Sequence, residues 1–327
     1  MKIIRTDREL ECPHIDARLR EAGHDLVLLP DGIPEDALCA AVREADLILM
    51  CYTPITARVI AAAPRLKGIV KYGVGIDAID IPAARARGVA VVNVPEYAEE
   101  TVAEGAFALM IALAKRLMPL HRQMQEHGWA WPEARWLASD IAGKTVGLVG
   151  VGKIGRSMAR MAGAGFRARV LGYDPYVGVE EMRAAGVEKR DGLHPMLGEC
   201  DFVSLHMVLN PETRGIIGAA EFAAMKPGAV LVNVSRGALV DEAALIAALD
   251  GGRLGGAGLD VFSAEPLAQA GHPLAPLFGR ENVILTPHLT FYTAEAMRRL
   301  EDETLERCFE ILEGRKVTVK SRDPRLR

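Results

Sequence analysis

The chain is predicted to be an α/β protein built from two doubly wound parallel sheets. Three observations carry this. Short apolar runs such as Asp46–Cys51 (DLILMC) and Ala229–Val234 (AVLVNV) recur along the chain. Segments of helical periodicity separate them. The 327 residues, half of them hydrophobic, are enough for about two domains. Continuous apolar strands alternating with helices imply strands buried on both faces, as in a covered parallel sheet.

In the first hundred residues, Lys2–Arg5, Asp25–Leu29, Asp46–Cys51, Leu66–Tyr72 and Val89–Asn93 read as strands. Helices are expected from His14 to Ala22, from Pro34 onward, from Thr56 to Ala62 and from Ile81 to Arg87. Pro34 suits a helix start, where its missing N–H costs nothing.

Glu96–Gln125 reads as one long helix. Acidic residues crowd its start and basic ones its end, as the macrodipole favours. Pro119 is expected to kink it. Trp129, Trp131 and Trp136 then fall within eight residues. They predict either a local aromatic cluster or an arm that packs on a partner subunit.

In the second half, Thr145–Val149, Arg169–Asp174, Asp201–His206, Ala229–Val234, Ala257–Phe262 and Val283–Thr286 read as strands. Helices are expected at Val179–Ala185, Ala219–Met225 and Asp241–Asp250, with a last one from Thr293 to Leu312. The basic tail Lys320–Arg327 is expected to fray.

Charge is nearly balanced, 39 basic against 43 acidic residues, with no basic stripe, so neither nucleic acid nor a membrane surface is implied. Five scattered cysteines without a C-x-x-C support neither a metal site nor a disulfide framework. Met1–Arg5 runs into a strand with no signal peptide, and the longest apolar run is far below the ~20 residues of a membrane span. A cytoplasmic protein with reduced thiols is expected.

The strongest motif is Gly150-Val-Gly-Lys-Ile-Gly155, between a strand and a helix. In G-x-G-x-x-G the first glycine makes the tight turn and the second admits a pyrophosphate. The third lets helix and strand pack closely. The helix N-terminus, with Gly152, Lys153 and Ile154, offers free N–H groups to the phosphates. The next strand ends in Asp174, 19 residues after Gly155, near the spacing expected of a ribose-binding acid. An acid there accepts bonds from both ribose hydroxyls and repels a 2′-phosphate. Pro175 and Tyr176 supply no cation, though Arg156 lies one turn into the helix. NAD is therefore the expected cofactor.

Ligands of open α/β sheets sit outside the carboxyl ends of strands. There the second half places Asp174, His206, Ser235, Arg236, Asp260, Glu265 and His288. Arginine grips a planar carboxylate in bidentate fashion. Histidine moves a proton near neutrality. A glutamate beside it favours the protonated form. Arg236, Glu265 and His288 together describe hydride transfer between a nicotinamide and a 2-oxo or 2-hydroxy acid. His206 is expected to line the cofactor.

Several stretches, in order, resemble the D-isomer-specific 2-hydroxyacid dehydrogenase family. They are Tyr72–Asp80 (YGVGIDAID), Gly150–Gly155, Asn233–Glu242 (NVSRGALVDE), Gly258–Pro266 (GLDVFSAEP) and Thr286–His288. The resemblance implies that Arg236, Glu265 and His288 are catalytic. It implies that Tyr52, Tyr72 and the Gly73–Val74–Gly75 backbone bind substrate, with Val74 near the nicotinamide. It further implies that Asp260 bonds the carboxamide and that Thr101, Met207, Thr213, Val234 and Ser235 line the cofactor. The expected architecture is a discontinuous flavodoxin-like substrate domain (1–95 and 288–327), a long helix and dimerisation arm (96–143), and a Rossmann NAD domain (144–287). A homodimer through 96–136 is implied. Phe291 and Tyr292 after the histidine resemble D-lactate dehydrogenases and also C-terminal binding proteins, an NADH-binding regulatory branch of the same fold. An NADH sensor without turnover is therefore the alternative to a metabolic reductase.

Overall fold

The computed structural model describes residues 1–321 and 323–326; Arg322 and Arg327 of the basic tail lie outside the described residues. The chain divides into two compact units, Met1–Ala98 with Tyr292–Arg327, and Glu99–Phe291.

The first unit contains β1 (Lys2–Arg5), α1 (Pro13–Glu21), β2 (Asp25–Leu28), α2 (Glu35–Ala41) and β3 (Leu47–Met50). It continues with α3 (Ala57–Ala62), β4 (Gly68–Lys71), α4 (Ile81–Ala86) and β5 (Ala90–Asn93). Its sheet runs β2-β1-β3-β4-β5, all parallel, the flavodoxin-like order. Helix starts follow local chemistry. Pro13 opens α1, the Thr56 hydroxyl accepts from Val59 N–H at 3.3 Å, and Asp80 accepts from Ala83 N–H at 3.0 Å. Ile4, Ile48 and Ile69 lie at the centre of the core.

The second unit contains α5 (Glu99–Ala114), α6 (Leu117–His127), β6 (Thr145–Val149), α7 (Lys153–Arg160), β7 (Arg169–Tyr173), α8 (Val179–Ala184) and β8 (Glu188–Lys189). Then come α9 (Leu193–Glu199), β9 (Phe202–Leu205), α10 (Ala219–Ala224), β10 (Ala229–Asn233), α11 (Glu242–Asp250), β11 (Leu254–Leu259) and β12 (Val283–Leu285). The order β12-β11-β10-β9-β6-β7-β8 is a Rossmann arrangement with one added strand. Both faces are covered. Val149, Val203 and Leu231 join one core cluster. Val146, Leu148 and Val232 join another, with Ala106 and Met110 of α5. In the first unit α12 (Ala294–Leu312), opened by a Thr293 cap, packs on β4. A Cβ on Gly68 would lie 2.7 Å from the Ile311 side chain, so a larger residue there would push that side chain aside.

The expected long helix is two helices, and the break precedes Pro119. Arg116 is left-handed (φ 50°) and its Nε donates to Leu137 O at 3.1 Å. A proline ring excludes the carbonyl four residues earlier, here Lys115. Restarting at Leu117 puts Pro119 in a first turn, where no N–H is missed. Nor is 96–143 a separate piece, since from Glu99 it belongs to the second unit. Helix α5 lies on the sheet over the glycines of β11: a Cβ on Gly258 would be 3.1 Å from Leu109. Strand β11 runs from Leu254 to Leu259, earlier than the expected Ala257–Phe262. The described part of the tail is anchored rather than frayed, with Arg325 pairing with Asp77 and Asp323.

Gly237 opens the turn after β10, and a Cβ there would lie 1.9 Å from the Phe262 carbonyl carbon. Gly237→Ala is therefore expected to destabilise the protein by more than about 2 kcal/mol. An unchanged denaturation midpoint would refute this packing.

Candidate active site

In the second unit the strand order reverses between β6 and β9, and the two loops there meet. Gly150 (φ 95°) has no room for a side chain, since a Cβ would lie 2.7 Å from the His206 backbone. A Cβ on Gly155 would be 2.4 Å from Gly150 O. Gly152 faces open space and caps α7 without any side-chain cap, leaving the first N–H groups for a ligand. Lys153 pairs with Glu99 at 2.9 Å. Ile154 packs into the core cluster under α5.

Asp174 ends this crevice. One oxygen accepts from Val151 N–H and the other from Tyr176 N–H, both at 2.9 Å. Each oxygen keeps a lone pair for a ribose hydroxyl. Arg156, the nearest expected cation, is held by Val151 O and Glu181. Pro175 is exposed beside Asp174. The bare glycine turn, the uncapped helix and this acid fit a dinucleotide with free ribose hydroxyls.

His206 is partly accessible as a residue, yet both ring nitrogens are buried without a partner among the described residues. Burial lowers its pKa to about 4. Met207 packs on the core. The Thr213 hydroxyl donates to Val208 O and accepts from Asn210 N–H, both at 2.8 Å, closing its own loop. Thr101 and Val234 are buried.

Asn233 shapes the next turn. Its side chain accepts from Ser235 N–H at 3.0 Å and donates to Arg236 O at 2.9 Å. Ser235 Oγ donates to Leu205 O at 2.7 Å. His288 sits in the left-handed region (φ 58°), and its Nδ1 is 2.9 Å from Glu265 Oε2. The other Glu265 oxygen accepts from Phe262 N–H at 2.9 Å. Burial by itself would raise the Glu265 pKa; the hydrogen bond and charge of His288, the Phe262 amide and the Arg236 charge outweigh it and hold the carboxyl below its usual range. The structure thus brings His288 and the charge of Arg236 to the Glu265 carboxylate.

Two expected site residues are held by the fold. Asp260 is wholly buried and takes four donors: Thr286 Oγ1 (2.6 Å) and Leu289 N–H (3.1 Å) on one oxygen, Thr290 N–H (3.0 Å) and Oγ1 (2.6 Å) on the other. Asp260 thereby clamps the segment that carries His288. Thr290 in turn needs Gly105 of α5 bare, since a Cβ there would lie 2.7 Å from the Thr290 side chain. Tyr72 in the first unit is also fully buried, and its hydroxyl donates to Thr6 O at 2.5 Å. Its ring is core, and only its backbone belongs to the loop. Gly73 there has φ 150°, and Asn93 Nδ2 donates to Val74 O at 2.6 Å. Val74 and Tyr52 are exposed. Asn93, Asn233 and Thr290 were not singled out from the sequence, because their work is to hold other residues.

The sign of a pH effect follows from His206. A histidine buried neutral binds fewer protons than its unfolded counterpart as the pH falls from 6.5 to about 4. Folding stability is therefore expected to fall through that window, by up to about 3 kcal/mol from this residue. His206→Gln should flatten the loss measured by thermal melting; an unchanged pH slope would refute it.

Comparison with known proteins agrees with this geometry. The family model for the NAD binding domain of D-isomer specific 2-hydroxyacid dehydrogenases matches residues 107–290. D-3-phosphoglycerate dehydrogenase of Mycobacterium bovis is 43% identical over 84% of this chain, which spans only 51% of that relative. Glyoxylate reductase of Korarchaeum cryptofilum is 39% identical over 90% of this chain and 88% of its own length. The crystal structure of a D-lactate dehydrogenase from Aquifex aeolicus, complexed with NAD and lactic acid, superposes with a TM-score of 0.85 at 30% identity, covering 95% and 96% of the two chains. With its strand order, its glycine turn and more than half its length matched, the chain belongs to the D-isomer specific 2-hydroxyacid dehydrogenase family.

Proposed function

We propose that this protein is an NAD-dependent oxidoreductase that interconverts a 2-oxo acid and its D-2-hydroxy acid. The observation that carries the reading is the 2.9 Å hydrogen bond between His288 Nδ1 and Glu265, with the Arg236 charge acting on the same carboxylate. When bound, NAD supplies the hydride carrier. With Nδ1 engaged, Nε2 of His288 is the atom that gives a proton to the carbonyl oxygen in reduction and takes it back in oxidation. Ionised Glu265 stabilises the imidazolium and fixes the ring. Arg236 orients the substrate carboxylate and polarises the carbonyl. In the first unit, the Gly73–Gly75 backbone, Tyr52 and Val74 are assigned to substrate binding from the family resemblance. Asp174 selects NADH over NADPH.

The Phe291–Tyr292 pair does not shift the reading toward a sensor without turnover, because Phe291 is buried packing beside the His288 ring. We further propose a homodimer through residues 96–136, where Leu117, Met118, Met124, Trp129 and Trp131 are exposed. A single-chain mass by sedimentation at micromolar concentration would sink that assignment. All five cysteines are free, which suits a reducing cytoplasm. Among the described residues no helix is long and apolar enough to cross a membrane.

Purified protein with NADH or NADPH is expected to reduce at least one of glyoxylate, pyruvate, hydroxypyruvate, phenylpyruvate and branched-chain 2-oxo acids, with NADH preferred. Turnover of none, with tight NADH binding, would overturn the enzymatic reading in favour of a sensor. His288→Ala should lower kcat/KM by roughly 10²–10⁴-fold while NADH affinity is kept. Glu265→Gln removes the anion that orients the ring and stabilises its protonated form, so kcat/KM for reduction should fall roughly 10²-fold or more; an unchanged kcat/KM would contradict the assignment.

A further inference from the structure

Two anchored loops stand on either side of the glycine turn in the second unit. Strand β6 lies between β7 and β9, so the ends of those two strands are two strand spacings apart, about 10 Å. After β7, Tyr176 N–H donates to Asp174 Oδ1 at 2.9 Å, which fixes the backbone there. After β9, Asn210 Oδ1 accepts from the N–H groups of Glu212 and Thr213, both at 2.9 Å. Asn210 N–H donates to Thr213 Oγ1 at 2.8 Å, so the loop that presents Glu212 is held by its own side chains.

One side-chain bond joins the two loops: the Tyr176 hydroxyl donates to Glu212 Oε2 at 3.2 Å. It reaches across the end of β6, where Gly150 and Gly152 make their turn. A Cβ on Gly152 would meet nothing within 4 Å, so there is room at that turn for a ligand. The Glu212 carboxylate raises the Tyr176 pKa, and the phenol keeps its donor proton through neutral pH. Yet 81% of Tyr176 is exposed. Packing within the chain does not account for a ring tied at its backbone and at its hydroxyl while its faces stay in water. A flat ring held in this way suits an adenosine, whose apolar faces gain from aromatic cover.

We infer that Tyr176 covers the adenosine end of the bound dinucleotide, and that Glu212 is a positioning residue that holds the ring there. This rests on the dinucleotide site described above and adds a wall that the ribose acid and the glycine turn do not provide. A surface tyrosine without a partner samples several rotamers, and binding must then order it. With its hydroxyl on Glu212, the ring is already in place, and that ordering cost falls.

The test is the affinity and release of NADH for wild type, Tyr176→Phe, Glu212→Ala and the double variant, read by nicotinamide fluorescence and stopped-flow displacement. Each single variant should bind NADH about three- to tenfold more weakly and release it correspondingly faster. The double variant should be no weaker than the weaker single one, because both changes remove the same bond. Glu212→Gln keeps an acceptor and should release NADH more slowly than Glu212→Ala. Tyr176→Ala, which removes the ring as well, should lose more than Tyr176→Phe. ADP-ribose should lose affinity by the same factors as NADH, and reduced nicotinamide mononucleotide, which lacks the adenosine, should lose none. Unchanged NADH binding in the single variants, additive losses in the double variant, or an equal loss for the mononucleotide would overturn the inference. A wild type that binds NADH but turns over no 2-oxo acid overturns the catalytic reading alone; one that does not bind NADH overturns the cofactor site and this inference together.

Discussion

The second unit depends on one buried charge. Asp260 has no contact with solvent, and an isolated carboxylate there would be untenable. Four hydrogen bonds from Thr286, Leu289 and Thr290 make it tolerable. The same bonds fold residues 286–290 back on the end of β11. That fold carries His288 into a left-handed conformation, which a non-glycine residue holds only when its surroundings impose it. The constraint reaches further, because Thr290 fills the space left by Gly105. The position of α5 on the sheet and the aim of the histidine are thus parts of one packing solution.

The two units solve the same problem with different residues. Each has a point where strand order reverses and two loops come together. In the second unit, Gly150 gives way so that the backbone near His206 can approach. In the first, Asp7 adopts φ 57° and draws in the amides of residues 51–53. One site is organised by missing atoms and the other by an anion that satisfies crowded donors.

Most of the architecture was legible because buried parallel strands are apolar throughout, and the helix starts carry Thr, Asp or Pro. The short β8 was not, since Glu188–Lys189 has no apolar signal. Nor was α9, where Pro195 and Gly198 interrupt the helical pattern. The break at Arg116 was misplaced because the proline was read as a kink at its own position. Arg236 and His288 stand out in the sequence as polar residues after apolar strands, whereas Glu265, in a loop after β11, is singled out by the family resemblance. Tyr72 was misread because an aromatic in a glycine loop does not reveal which way its ring turns.

The double use of Asp174 has a consequence for redesign. Its two oxygens, proposed to bind the ribose, also hold the amides of Val151 and Tyr176. A substitution meant to admit a phosphorylated ribose would release those amides and loosen the glycine turn. Freeing Arg156 would also require removing Glu181, its present partner. Cofactor choice in this chain is therefore not a one-residue trait. Variants that exchange it must change residue 174, residue 181 and the support of the turn together, so a stepwise path through single changes crosses poorly folded intermediates.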